Sequence, residues 1–184
     1  MNLALPETGP FSLLLLGGAR SGKSALGERL VAESGRRPVY VATAQAFDGE
    51  MEERIAHHRQ RRGEGWLTVE EPLHLARVLR ERAAGEDDAV LVDCLTLWLA
   101  NLMAAGRSAE TDVAELIDAI AASRAAIVLV SNEVGWGIVP DNALARRFRD
   151  EAGRMHQNLA ERADAVAAVM AGLPMVLKGP ASRE

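Results

Sequence analysis

Gly17, Gly18, Ala19, Arg20, Ser21, Gly22, Lys23 and Ser24 follow one another and fit the pattern G-x-x-x-x-G-K-[ST]. Glycines let such a backbone curl so that successive N–H groups face phosphate oxygens, and a helix N-terminus behind them adds its positive dipole end. In that arrangement Lys23 reaches the outer phosphates of a nucleoside triphosphate and the Ser24 hydroxyl ligates Mg²⁺. Asp93, at the end of the apolar run 89–92, has two readings. It is a Mg²⁺ ligand, directly or through water, or it is a solvated strand end or helix N-cap. His57 and His58 stand among Arg54, Arg59, Arg61 and Arg62, with Glu53 one helical turn before His57. Neutral imidazole is a competent nucleophile near pH 7, so this cluster suits a histidine that attacks phosphorus while the arginines hold the charge. The segment 50–62 also reads as a solvated helix face, with acids first and bases last to match the helix dipole.

These residues need elements to hold them. Short apolar runs at 12–16, 39–42, 66–69, 89–92, 127–130, 165–170 and 175–177 read as strands. Helical patterns at 23–34, 50–62, 73–84, 96–105, 111–123 and 142–162 separate them. Strands alternating with helices predict βαβ units and a mostly parallel sheet. The strands lack alternation, which predicts helices on both faces. Gly172-Leu173-Pro174 is expected to turn a C-terminal hairpin. The fold class is therefore α/β, a three-layer P-loop NTPase-like domain. Residues 1–10 are expected to form a loose leader and residues 11–184 a single domain, since no Pro-, Gly- or Ser-rich linker divides them.

Composition narrows the class. A net charge of −5 lacks the basic footprint of a general nucleic-acid binder. Aromatics make up 4% of the chain, so the core must be built mainly of Leu, Val, Ile and Ala. Cys94 is the single cysteine, which forbids an internal disulfide and fits a reducing, cytoplasmic setting. The run 13–16 is too short for a signal-peptide core or a membrane span. The chain is expected to be soluble and cytosolic. No Asn-Lys pair exists from which an N-K-x-D guanine-reading loop could be made, and Asp150–Gly153 lies inside a helical pattern. A small-molecule transferase leads over a switch GTPase.

The ordered motifs resemble the bifunctional adenosylcobinamide kinase/adenosylcobinamide-phosphate guanylyltransferase family of cobalamin biosynthesis, from about Leu13 to Lys178. The blocks are 17–24, 39–44, 50–59, 66–72, 91–96, Ser131-Asn132-Glu133-Val134-Gly135, 137–140 and Arg149-Asp150 with Gly153. The resemblance implies two reactions. A nucleoside triphosphate, ATP or GTP, phosphorylates the aminopropanol hydroxyl of adenosylcobinamide. GTP then gives GMP to that phosphate, yielding adenosylcobinamide-GDP and pyrophosphate. It implies that His57 carries GMP as a phosphoramidate, with His58, Arg59, Gln60 and Arg61 along the nucleotide. Thr43, Ala44, Gln45, Glu70 and Asp93 match nucleotide-contact positions, and a homotrimer is implied too. A kinase without guanylyltransferase activity is the alternative, and a nucleotide-binding regulator the rival from another class.

Several positions stay open at this stage. Asp93 and Glu133 are both candidates for the kinase general base. The loop after Ser131-Asn132-Glu133, with Gly135 and Gly137, is either a cover for the corrinoid or hydroxyl or a plain strand-to-helix connection. Arg146 and Arg149 either reach phosphates or line a solvated face. Trp66, Trp98 and Trp136 suit a flat corrin, although packing is the better account of Trp98. An Asn-Gln pair is expected after Gly153, but the chain has His156-Gln157-Asn158, and no role is assigned there.

Overall fold

Apolar runs without alternation become strands whose two faces are both covered. The computed structural model describes residues 3–44 and 65–179. Its strands are β1 (Phe11–Gly17), β2 (Arg37–Ala42), β3 (Leu67–Glu70), β4 (Asp88–Asp93), β5 (Ala126–Asn132), β6 (Ala165–Met170) and β7 (Leu173–Lys178). The helices are α1 (Lys23–Glu33), α2 (Leu75–Arg82), α3 (Leu95–Ala104), α4 (Ala109–Ala121) and α5 (Ala143–Arg162). The seven strands form one sheet in the order β3-β2-β4-β5-β1-β6-β7. All neighbours run parallel except β6 and β7. The expected α/β architecture, with a closing hairpin, is the one observed.

Alternate strand residues feed two separate cores. Leu14, Val90, Val92, Ile127 and Leu129 pack with Leu75, Leu79, Trp98, Leu102, Leu116 and Met155 from α2 to α5. Leu13, Leu15, Leu91, Val128 and Val130 pack on the opposite face with Leu26, Leu30 and Val31 of α1. At about 25 cal/mol per Å² of apolar surface, this two-sided burial dominates the stability of the sheet. Polar caps then set helix starts. Ser108 accepts the Thr111 N–H at 3.3 Å before α4, and Asn142 accepts the Ala145 N–H at 2.7 Å before α5.

Two expectations need correction. Residues 3–10 are not loose: Leu5 is buried, and the Arg36 guanidinium donates to the carbonyls of Pro6 and Gly9 at 2.7 to 3.0 Å. Arg36 also donates to the Glu86 carbonyl at 2.8 Å, so one buried side chain ties the leader to the turn before β4. The hairpin turn is Ala171-Gly172, while Leu173 and Pro174 already belong to β7. Both turn residues have positive φ, 52° and 80°, the demand of a two-residue type I′ turn. The helix expected at 50–62 lies outside the described residues. Among the described residues no helix is long and apolar enough to cross a membrane.

Candidate active site

Parallel strands deliver their carboxyl ends to one edge, and the phosphate loop lies there. β1 ends at Gly17, and α1 begins at Lys23 directly after Gly22, whose φ is 95°. A side chain at Gly22 would be strained by that φ and would bring a Cβ within 3.1 Å of the Gly172 Cα. The loop is closed by the Ser21 N–H on the Gly18 carbonyl at 3.3 Å and the Leu26 N–H on the Gly22 carbonyl at 2.9 Å. Among the described residues no side chain caps the start of α1, which leaves its first turn suited to an anion. Lys23 is buried, and its Nζ donates to the Gly18 carbonyl at 3.0 Å, so the ammonium lies folded over the loop.

The β6–β7 hairpin braces this loop from the side. The Gly172 N–H donates to the Ser21 carbonyl at 2.8 Å. A Cβ on Gly17 would stand 2.5 Å from the Val169 carbonyl oxygen and 2.6 Å from Ser21 Oγ, so only glycine fits this crossing. Ser21 Oγ is buried and has no hydrogen-bond partner among the described residues. A buried orphan hydroxyl inside an anion-binding turn is the kind of group a ligand satisfies.

The remaining edge residues divide into site and scaffold. β5 stands between β4 and β1, so Asp93, in register with Ala42 and Val130, faces the phosphate loop across one strand. The Tyr40 hydroxyl donates to Asp93 Oδ2 at 3.4 Å. Glu70 ends β3 in register with Ala42 and is exposed. Ser24 is half-buried on the first turn of α1, and Ala44 is half-buried just beyond β2. Thr43 belongs to the scaffold. Its hydroxyl donates to the Cys94 carbonyl at 2.7 Å and accepts the Cys94 N–H at 2.8 Å, while its carbonyl accepts Asn101 Nδ2 at 2.9 Å. That clasp joins the ends of β2 and β4. Burial, reinforced by Asp93, pushes the Cys94 thiol up, so it stays protonated and inert. Gln45, His57, His58, Arg59, Gln60 and Arg61 lie outside the described residues.

Glu71, unlike Glu70, is a structural carboxylate. It accepts the N–H groups of Leu73 and His74 at 3.0 and 2.9 Å and pairs with Arg77 at 2.8 Å, starting α2. Burial pushes its pKa up, but those donors outweigh it and hold the carboxyl below the usual range. Asp93 and Ser24 offer hard oxygen donors, the chemistry Mg²⁺ takes when it arrives on a triphosphate with one or two protein ligands. Among the described residues no group of three or more His, Cys, Asp or Glu gathers to hold a metal.

Sequence reasoning named Glu133 as a candidate base and placed Ser131 at the substrate edge, but it missed that His156 joins them in a polar cluster beside the loop. Ser131 Oγ lies 2.7 Å from His156 Nε2, and His156 Nδ1 lies 3.7 Å from Glu133 Oε2. The Glu133 N–H donates to the Gly17 carbonyl at 3.0 Å. The signal was available in part: His156 shares the core-facing stripe of α5 with Ala152, Met155 and Leu159. Beyond Glu133 the chain exposes Trp136 (76%), Ile138 (96%) and Val139 (58%). Trp98 is buried, with its indole N–H on the Leu73 carbonyl at 2.8 Å. Trp66 packs edge-on against Tyr40 at 6.5 Å between ring centroids. Arg146 donates to the Pro140 and Asp141 carbonyls, and Arg149 pairs with Asp150, so both are engaged locally.

The profile of the family described as cobinamide kinase/cobinamide phosphate guanyltransferase matches residues 13–177. The chain belongs to that family. It is 54% identical over 169 residues to the bifunctional adenosylcobalamin biosynthesis protein CobP of Pseudomonas aeruginosa, covering 90% of this chain and 96% of that protein. It is 40% identical over 181 residues to CobU of Salmonella typhimurium, with 90% and 99% covered. As a member of the cobinamide kinase/guanyltransferase family it is a nucleotide-binding transferase of cobalamin biosynthesis. Solved structures agree on the fold alone. The RadB recombinase matches at a TM-score of 0.54 and 15% identity, over 88% of this chain and 75% of that one. FlaH from Methanocaldococcus jannaschii matches at 0.53 and 14%, over 94% and 80%.

Burial lowers the pKa of His156 below its ordinary 6.5, and the nearby Glu133 opposes that only in part. The fold thus favours neutral imidazole, and the unfolded chain binds the proton more readily. Stability is therefore full above pH 6.5 and declines as pH falls from 6.5 toward the folded value. Thermal melts of the wild type should drop in midpoint across that window, and a His156→Asn variant should lose that dependence. An unchanged slope in the variant would contradict the assignment.

Proposed function

We propose that this enzyme phosphorylates the hydroxyl of adenosylcobinamide with a nucleoside triphosphate and then guanylylates the product through His57. The observation that carries this reading is the phosphate loop itself. A strand, a glycine turn braced by the hairpin and a buried Lys23 Nζ 3.0 Å from the Gly18 carbonyl form a cradle for phosphates. In the second reaction a His57 ring nitrogen attacks the α-phosphorus of GTP, a P–N bond forms, and the P–O bond to pyrophosphate breaks. The phosphate oxygen of cobinamide phosphate then attacks the same phosphorus and the P–N bond breaks. Lys23 and the loop N–H groups suit the charge that develops on departing pyrophosphate. Ser24 and Asp93 are the residues that would hold Mg²⁺, which neutralises phosphate charge when bound. Gly17, Gly18, Ala19, Arg20, Ser21 and Gly22 wrap the phosphates. Ala44, Gln45, His58, Arg59, Gln60, Arg61 and Glu70 contact the nucleotide, and the reactions run in the cytoplasm.

The exposed loop beyond Glu133 supports a corrinoid site. Trp136, Ile138 and Val139 offer exposed apolar surface a few residues after Glu133, whose N–H meets the phosphate loop, and this suits the face of a large macrocycle. Trp136→Ala should raise KM for cobinamide about tenfold while nucleotide KM stays unchanged, since about 1.4 kcal/mol is tenfold. An unchanged cobinamide KM would remove the loop from the site. For the homotrimer, support comes from edge strand β7, which exposes Leu173, Met175 and Leu177. Sedimentation equilibrium should return three times the 19.8 kDa chain mass, and a monomer would overturn it.

The deciding test is the covalent step. Wild-type enzyme incubated with Mg²⁺ and α-³²P-GTP, then denatured, should retain acid-labile, alkali-stable label. A His57→Ala variant should retain none, and chelation of Mg²⁺ should abolish labelling. No label on a wild type shown to bind GTP would favour a kinase without guanylyl transfer.

A further inference from the structure

Ser131 and His156 have no part in the chemistry described so far, and Glu133 entered it only as one of two candidates for the kinase base. Ser131 is the penultimate residue of β5 and is fully buried. His156 reaches it from α5 and is 6% exposed. A serine, a histidine and a carboxylate in line have the order of a hydrolase triad, but a serine without exposed surface cannot attack a substrate. The polarity is therefore reversed. The buried hydroxyl fixes the imidazole, and the carboxylate is the member at the mouth.

The hydrogen bonding fits that direction. Ser131 Oγ and His156 Nε2 lie 2.7 Å apart; with the hydroxyl as donor, the ring N–H falls on Nδ1, 3.7 Å from Glu133 Oε2. The other carboxylate oxygen, Oε1, accepts the Gly135 N–H at 2.6 Å. The Glu133 backbone is itself fastened to the phosphate loop through the Gly17 carbonyl at 3.0 Å. Its carboxylate thus lies against the imidazole on one side and is held by the Gly135 N–H on the other, at 22% side-chain exposure. Burial keeps the imidazole neutral, so it can orient the carboxylate without forming a full ion pair with it.

We propose that His156 is a positioning residue for the kinase reaction: it holds the Glu133 carboxylate beside the phosphate loop as the base for the hydroxyl being phosphorylated. The inference rests on the kinase half of the proposed function. In the step, the substrate hydroxyl oxygen attacks the γ-phosphorus, its proton passes to Glu133, and the bond to the β-phosphate oxygen breaks to release the nucleoside diphosphate. Asp93 would stay with Mg²⁺ when it is bound. General bases of this kind contribute about 10²–10⁴-fold, and a base that swings free loses a share of it.

The test is a double-mutant cycle on the purified enzyme with cobinamide and Mg²⁺-ATP, reading kcat and KM separately. Glu133→Gln should lower kcat at least about hundredfold. His156→Phe should lower kcat about tenfold or more with nucleotide KM unchanged, and His156→Asn, which restores a donor, should recover most of it. The double variant Glu133→Gln/His156→Phe should be no slower than Glu133→Gln alone, as expected for groups that act as one unit. If His156→Phe does not fold, Ser131→Ala takes its place in the cycle, since it frees the same ring. Wild-type kcat in His156→Phe or in Glu133→Gln, or losses that multiply in the double variant, would overturn the inference alone. A wild type that takes label from GTP yet never phosphorylates cobinamide would overturn the kinase reading, and this inference with it.

Discussion

A row of backbone N–H groups can face phosphate only if the chain turns more sharply than side chains allow, and that constraint shapes the whole carboxyl edge. Gly22 supplies the left-handed step and Gly17 the close crossing. Neither would hold the loop in place alone. The hairpin tip presses on it from one side through the Gly172 N–H, and the end of β5 fastens it from the other through the Glu133 N–H. The loop is preorganised by strands that come more than a hundred residues later in the chain, which is how electrostatic catalysis avoids reorganisation at the moment of reaction.

The same edge separates groups that hold the site from groups that act in it. Thr43, Cys94 and Asn101 use their polar atoms on one another and lock β2 to β4. Thr96 does likewise, reaching Asn132 Nδ2 at 3.0 Å and the Cys94 sulfur at 3.3 Å. A buried polar group is expensive without partners, so these side chains form a closed network. Asp93 and Glu70 end their strands with carboxylates at this edge, and Lys23 folds over the loop that follows β1.

Much of this was legible in the sequence because it is local. The apolar runs at 12–16 and 89–92, the spacing of the phosphate-loop glycines and the helical stripe of α5 each carry their own signal. What escaped was long-range. Thr43 lies in a nucleotide-matching block, and nothing local says its hydroxyl is consumed by Cys94. The run 1–10 has no helical or strand period, yet Arg36 binds its carbonyls from the start of β2. Pro174 suggested a turn, but β7 is an edge strand, where proline is tolerated, and the turn fell on Ala171-Gly172. Ser131 and His156 are separated by 25 residues and meet only because α5 packs back across the end of β5.

Hairpin tips are ordinarily where a lineage can add or lose residues without consequence, because they project into solvent. The Ala171-Gly172 tip is different, since its backbone is one wall of the phosphate cradle. A single inserted residue would lift the Gly172 N–H away from Ser21 and reach the nucleotide without altering any residue of the glycine motif. Length at this position therefore sets the geometry of the phosphate cradle. A survey of natural variants should find it as invariant in number of residues as the phosphate loop is in their identity.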